Sequence, residues 1–117
     1  MKLTITYLTI LTLLLGALLS ACTGATNVAT PTLDGTGWQL IELNGKGLPD
    51  FILITLSFKD GQAGGKAPCN GYGAAYIQDG SKLTFDQAIS TMMYCDGGMD
   101  YETEFLDAFG EVKSFNI

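Results

Sequence analysis

The sequence predicts a mainly β or α+β domain over residues 34–117, in which several short antiparallel strands pack with a single helix. Two observations predict this class. Apolar residues alternate in short runs that are separated by turn signals, as they do in half-buried strands. One stretch alone, at 98–109, repeats its apolar residues at helical spacing. The chain has 117 residues, which is enough for one domain and no more.

The first half of the domain contains two predicted strands. Residues 37–43 form the first, and Asn44-Gly45 ends it because both residue types tolerate a positive φ. Residues 52–58 form the second, which Lys59-Asp60-Gly61 closes. Its alternation places four large apolar side chains on one face: Ile52, Ile54, Leu56 and Phe58. We expect the Gly- and Ala-rich residues 61–67 to form a loop.

The second half contains a hairpin and the helix. The hairpin is predicted over 73–78 and 82–85, and residues 88–94 are either a further strand or an irregular crossing. The helix at 98–109 has one apolar face, made of Tyr101, Phe105, Ala108 and Phe109. Acidic residues such as Glu102 suit the positive end of its dipole, and Gly110 is expected to end it. A last strand is predicted at 112–117.

The composition excludes several functions. The chain has no His, and all 6 of its basic residues are Lys, so the commonest general base and zinc ligand and the bidentate guanidinium are missing. We therefore expect no enzyme, no cofactor and no metal site. The 12 acidic residues outnumber the basic ones two to one, which argues against binding to nucleic acid.

The N-terminus resembles a bacterial lipoprotein signal. Lys2 precedes an apolar run at 3–19, and Leu19-Ser20-Ala21-Cys22 matches the lipobox of that class. The resemblance implies removal of residues 1–21, a lipid on Cys22 and a location in the cell envelope, where the anchor contacts the membrane. An uncleaved transmembrane anchor is the alternative. Residues 22–33 then serve as lipidated cysteine and flexible linker.

Residues 34–117 resemble the META domain family, to which a heat-shock lipoprotein belongs. The motifs in order are Gly37-Trp38, Leu43-Asn44-Gly45, Cys69-Asn70-Gly71-Tyr72 and the Tyr76 hairpin. They are followed by Ser90-Thr91, Met93 and Cys95, and then by Met99, Glu102 and Phe105 in the helix. Pro68 departs from the family pattern, which usually has Gly or Ala before the cysteine.

The resemblance implies a small antiparallel, barrel-like sheet with one packed helix, a link to stress and no established catalytic residue. It also implies one or two more strands after Ile117. We therefore expect the domain to be C-terminally truncated, with the strand at 112–117 short of a partner.

Two cysteines remain once Cys22 is assigned to the lipid. In an exported domain an even count suggests a bridge, so we predict a disulfide between Cys69 and Cys95. Two separate buried thiols are the main alternative. A metal site is less favoured because the sequence has no Cys-x-x-Cys and no His.

Three functional hypotheses follow. The first is a non-catalytic interaction or stress-tolerance module with an envelope protein as partner. The second is a carrier of small apolar ligands, whose cavity would be lined by Tyr72, Tyr76, Tyr94 and Met92 or Met93, although such residues are more often core. The third is a hydrolase that uses paired carboxylates. A filled core with an exposed apolar patch would favour the first.

Overall fold

The structure is a computed structural model that describes residues 29–117. Its elements in chain order are β1 (Gly37–Gln39), β2 (Glu42–Leu43), β3 (Lys46–Gly47), β4 (Thr55–Lys59), β5 (Gln62–Lys66), β6 (Gly71–Asp79), β7 (Lys82–Phe85), β8 (Ile89–Ser90) and α1 (Met99–Gly110). Among these described residues, no helix has the length and apolar character needed to cross a membrane. The leader and Cys22 lie outside this range.

One curled antiparallel sheet organises the domain. Its strand order is β1-β4-β5-β6-β7, and β8 pairs with the beginning of β6. The sheet forms a half-barrel with α1 packed against it, while β2 and β3 make a separate two-stranded hairpin. The predicted α+β, barrel-like class is therefore confirmed.

Two tight turns have the backbone that their sequences predict. Asn44 and Gly45 have φ of 50° and 77°, and Asp60 and Gly61 have φ of 52° and 76°. Two successive positive φ angles match the twist of the flanking strands, and Asn, Asp and Gly are the residues that adopt them at least cost. Both predicted turns are thus confirmed.

The predicted loop at 61–67 is wrong, because residues Gln62–Lys66 form β5 between β4 and β6. Its glycines allow close contact between strands. A Cβ on Gly65 would lie 2.1 Å from the Thr55 carbonyl oxygen, and one on Gly64 would lie 2.6 Å from that of Tyr72. Glycine here permits a close approach of backbones in a bent sheet, whereas sequence reasoning took it as a loop signal.

The predicted strand at 112–117 is also wrong. A single bridge joins Ser114 to Lys82 on the outer edge of β7. The amide of Leu83 donates to the Lys113 carbonyl at 3.0 Å, and that of Phe115 donates to the Ser81 carbonyl at 2.9 Å. The segment has a partner over these few residues, but Phe115 packs against the core and the regular pairing ends there.

Aromatic side chains fill the space between sheet and helix. The ring of Phe109 stacks on Phe85 at 3.9 Å between centroids and meets the Tyr72 ring edge to face at 5.4 Å. Phe105 contacts Tyr72 at 5.0 Å. Next to them lie buried residues of the face predicted for the strand at 52–58, of which Ile54, just before β4, is 1% exposed. The predicted apolar faces of the helix and of this strand are therefore the ones that the core uses.

Candidate interaction surface

A short stretch after β7 exposes large apolar side chains. We call residues 89–94 the 89–94 segment. Within it, the exposed fractions are 80% for Ile89, 98% for Met92, 65% for Met93 and 78% for Tyr94. Ile89 and Ser90, in β8, pair with β6, and the Thr91 amide continues this pairing by donating to the Gly71 carbonyl at 3.0 Å. Several large exposed apolar side chains within six residues are a feature of interaction sites in soluble domains.

Asn70 holds this segment from beneath. Its side-chain amide donates to the Met93 carbonyl at 2.9 Å and to Glu102 Oε1 at 2.5 Å. Its Oδ1 accepts from the Thr91 hydroxyl at 2.8 Å and from the Met93 amide at 2.6 Å. Every donor and acceptor position of the Asn70 side chain is thereby used. We call Asn70, Thr91, the Met93 backbone and Glu102 the Asn70 knot.

Glu102 joins the knot to the helix. Its Oε2 accepts the backbone amides of Cys69 at 2.8 Å and Asn70 at 2.9 Å, and the side chain is 3% exposed. Hydrogen bonds to a carboxylate are about twice as strong as neutral ones. The sequence indicated a helix-dipole role and a place in the family motif for Glu102, but no hydrogen-bond partner. Its partners lie 32 and 33 residues away, so no local pattern reveals this second role.

The predicted disulfide fastens the same region. Cys69 and Cys95 are bonded, with 5.6 Å between their Cα atoms, which confirms the pairing. The buried Gly98 lies against it: a Cβ there would be 2.7 Å from the Cys95 sulfur and 2.8 Å from the Cys69 sulfur. Gly98 was not identified from the sequence as a residue of this region. Its position between Cys95 and the helix could have indicated that it packs against the disulfide.

The remaining motif residues lie away from the knot and support the scaffold. The Trp38 indole donates to the Thr36 hydroxyl at 2.8 Å and is 43% exposed. Asn44, in the turn with Gly45, donates from its side chain to Glu104 Oε1 at 2.8 Å. Phe105 belongs to the aromatic core.

The two motif tyrosines differ in their surroundings. The Tyr72 hydroxyl donates to the Thr55 carbonyl at 2.8 Å, and burial raises the pKa of this hydroxyl well above its ordinary range. The Tyr76 hydroxyl lies 3.5 Å from Asp34 Oδ1. Desolvation is the larger cause that raises the pKa of Tyr76, and the negative charge of Asp34 is the next. Both are structural: one spans the core, and the other packs its ring against Phe58 at 5.0 Å.

An apolar groove lies at the open side of the half-barrel. It has a volume of about 190 Å³, and its lining includes Trp38, Leu56, Leu83 and Phe115. Pockets that enclose a small ligand usually exceed about 300 Å³. The Tyr72 ring, one of those that would have lined a barrel cavity, is packed into the core instead, so the groove is a shallow feature of the surface.

An acidic groove of about 580 Å³ lies where the helix meets the β2–β3 turn. Glu104, Asp107 and Glu111 line one wall, and Asn44 is on the other. All three carboxylates belong to the last part of the helix and its end, so they do not face each other across the cleft as paired catalytic acids do. Within residues 29–117 no group of three or more potential metal ligands is assembled.

A second apolar patch, defined by Ile41, Phe51 and Leu53, lies just after β1 and just before β4. These side chains are 78%, 74% and 51% exposed. The Leu40 amide donates to the Ile54 carbonyl at 2.9 Å, which continues the β1–β4 pairing and places Ile41 opposite Leu53. Unlike the 89–94 segment, this patch has no side-chain hydrogen bonds among the described residues to hold it.

Comparison with known proteins identifies the domain. The family model of the META domain matches residues 31–117, which covers every strand, the helix, the Asn70 knot and the disulfide. No curated protein and no solved structure matches the chain. The match extends over well more than half of the sequence, and this chain therefore belongs to the META domain family.

Proposed function

We propose that this protein is an envelope lipoprotein whose META domain is a non-catalytic interaction module for stress tolerance. Leu19-Ser20-Ala21-Cys22 supports the anchor, because it matches the lipobox at every position. Two or three acyl chains, each methylene contributing about 0.8 kcal/mol, keep a protein on a membrane where a single chain does not. The predicted linker is shorter than 22–33, because Leu33 is buried in the core and Gln78 binds the Leu33 amide and the Pro31 carbonyl. The residues before Pro31 then serve as the tether to the bilayer.

The interaction role is supported by the 89–94 segment, whose apolar side chains are exposed and whose backbone is fixed by hydrogen bonds. Its apolar side chains face water, although its backbone is bound by Asn70 on both sides of Met93. A segment held in one conformation loses little conformational entropy when a partner covers it. Met and aromatic residues are the types enriched at protein interfaces.

The surrounding charges indicate the chemistry of the partner. The charged residues nearest to the segment in sequence are Asp86, Asp96 and Asp100, which are all exposed, and residues 83–112 contain no Lys. A second copy of this domain would bring like charges together, and so would an anionic lipid surface. The partner that fits is an envelope protein with an apolar groove and a cationic rim.

Photocrosslinking in living cells tests this assignment. The full-length lipidated protein would carry a photoreactive residue at position 92, and a matched control would carry it at position 51 in the second apolar patch. We expect a discrete crosslinked product from position 92, lost when Tyr94→Asp is added and weakened when salt is raised in isolated envelopes. Equal products from both positions, or a product from position 51 alone, would contradict the assignment.

Complementation separates interaction from catalysis. In cells that lack the gene and are stressed by heat, Phe51→Asp should restore growth and Met92→Asp should not. A triple variant, Glu104→Gln/Asp107→Asn/Glu111→Gln, removes the acidic groove's carboxylates and should restore growth if no catalysis is involved. Loss of function in the triple variant with Met92→Asp active would favour the hydrolase.

The anchor has its own measurement. Intact mass of the membrane-extracted protein should show loss of residues 1–21 and the added mass of acyl chains. Cys22→Ala should move the protein out of the membrane fraction. An unmodified Cys22 in a membrane-bound protein that retains its first 21 residues would instead establish an uncleaved anchor.

A further inference from the structure

The described residues contain three thioether sulfurs with very different access to water. Met92 is 98% exposed and Met93 is 65% exposed, whereas Met99, the first residue of the helix, is half-buried. The two cysteines of the domain are bonded to each other, so no described thiol competes for an oxidant. Met92 and Met93 are therefore the sulfur atoms that a small oxidant in solution meets first.

Neither side chain is part of the core. Both apolar clusters of the core exclude them. The Asn70 knot binds the main chain at Met93, through its amide at 2.6 Å and its carbonyl at 2.9 Å. A chemical change at either sulfur therefore leaves these backbone hydrogen bonds in place. Oxidation of a core methionine, by contrast, places a polar group among apolar ones and disrupts packing.

We propose that Met92 and Met93 form an oxidant-accepting modification site, whose substrate class is peroxide. A thioether sulfur attacks one peroxide oxygen, the O–O bond breaks, and an S–O bond forms. The sulfur loses two electrons and becomes a sulfoxide, while the peroxide is reduced to water. Each sulfoxide is polar, so oxidation replaces two adjacent apolar groups of the 89–94 segment without unfolding the domain.

The consequence for binding rests on the proposed function. The apolar surface offered to the partner would shrink to Ile89 and Tyr94, and each sulfoxide oxygen would have to be desolvated on docking. Oxidation would thus release the partner. The site would then make docking sensitive to peroxide.

Peptide mapping measures the site directly. The full-length lipidated protein in detergent micelles would be exposed to hydrogen peroxide, then reduced, alkylated and cut with trypsin. Because no Lys or Arg lies between Lys82 and Lys113, one peptide, 83–113, carries all three methionines. Met99 is therefore an internal reference with identical recovery. In the folded protein we expect Met92 and Met93 to oxidise at least about fivefold faster than Met99, and in urea we expect equal rates.

Equal rates in the folded protein, or a faster Met99, would overturn the site. A thermal midpoint that falls by more than about 4 °C after oxidation of Met92 and Met93 would show damage to the fold, since a shift of that size corresponds to roughly 1 kcal/mol, and would overturn the claim that the fold survives.

A variant separates this proposal from the docking assignment. Met92→Leu/Met93→Leu retains apolar side chains but has no oxidisable sulfur there. Both proteins carry the photoreactive residue at position 94, and each is compared with its own crosslinking before peroxide. Peroxide should reduce crosslinking of the protein that keeps Met92 and Met93 at least about threefold and should not reduce that of the variant. An equal loss in both would overturn the consequence for binding. If neither is crosslinked before peroxide is added, docking itself is wrong, while the peptide map still decides the modification site.

Discussion

The Asn70 knot and the 89–94 segment meet at Thr91 and Met93. The knot buries polar side chains, whereas the segment exposes apolar ones. In the knot, Asn70 and Glu102 are buried at 4% and 3% exposure. In the segment, the side chains of Met92 and Tyr94 are exposed. Among the described residues no buried side-chain polar atom lacks a hydrogen-bond partner, so the buried polar groups are compensated.

This difference shows that the buried polar groups of the knot, and not the exposed apolar side chains, stabilise the fold. Buried polar groups that are fully hydrogen-bonded specify one arrangement, and they are costly once a partner is removed. Exposed apolar side chains contribute little to stability. The fold thus uses strong interactions to position a segment whose large apolar side chains lie outside the core. Four changes test this contrast, beginning with the largest expected effect.

Glu102→Ala should lower the free energy of unfolding by about 4 kcal/mol, because it leaves the buried amides of Cys69 and Asn70 without an acceptor. Urea denaturation measures the change. The matched control is Glu104→Ala, whose side chain is exposed on the same helix and should change stability by less than about 0.5 kcal/mol. Equal losses would show that the knot has no special role.

The double variant Cys69→Ser/Cys95→Ser removes the disulfide without leaving a lone thiol. The bonded residues are 26 apart in sequence, and the chain-entropy model for such a loop gives a loss of about 3.5 kcal/mol. Comparing its urea midpoint with that of the wild type measures the loss. A wild-type domain that titrates two free thiols when unfolded without reductant would contradict the bridge.

Gly98→Ala should cost about 2 kcal/mol, because its Cβ would overlap both sulfur atoms. Gly110→Ala is the control, since a Cβ there meets nothing within 4 Å and alanine favours helix; it should be neutral or stabilising. In the Cys69→Ser/Cys95→Ser background the cost at Gly98 should shrink. A cost that persists unchanged would mean that the disulfide is not what requires this glycine.

Tyr72→Phe should cost about 1 kcal/mol at neutral pH through its lost bond to the Thr55 carbonyl. Burial raises the pKa of Tyr72 above its ordinary value of 10.0. Its contribution is complete below that value, and it is lost as the pH rises from there through the raised pKa of the folded state, because the unfolded chain then ionises first. Denaturation at alkaline pH should show a steeper loss in the wild type than in Tyr72→Phe.

Local patterns predicted much of the fold correctly. The turns at Asn44 and Asp60, the buried face of β4 and the helix follow from residue type and spacing, which act over a few neighbouring residues. The glycines of β5 misled the prediction because the close approach that requires them comes from other strands. The end of the chain misled it too, because Phe115 packs into the core, and this contact outweighs its tendency to continue a strand.

The candidate surface was only partly visible in the sequence. The residues of 89–94 were singled out as motif or cavity residues, and the even cysteine count predicted the bridge between Cys69 and Cys95. That Met92 faces water while Glu102 is buried could not be predicted, since a strand or crossing at 88–94 has two faces and its neighbours decide which is covered.

By itself, the sequence determined the class of the domain, its turns, its helix, the disulfide and membership of the META domain family, because each depends on residue types at short spacing or on motifs in order. Tertiary structure alone decided that Asn70 and Glu102, 32 residues apart, would bind one another and that Asn70 would bind the Met93 backbone. Hydrogen bonds over such separations form only after the sheet has curled and the helix has packed against it. Long-range packing is therefore what turned an apolar stretch of sequence into an exposed, rigid surface.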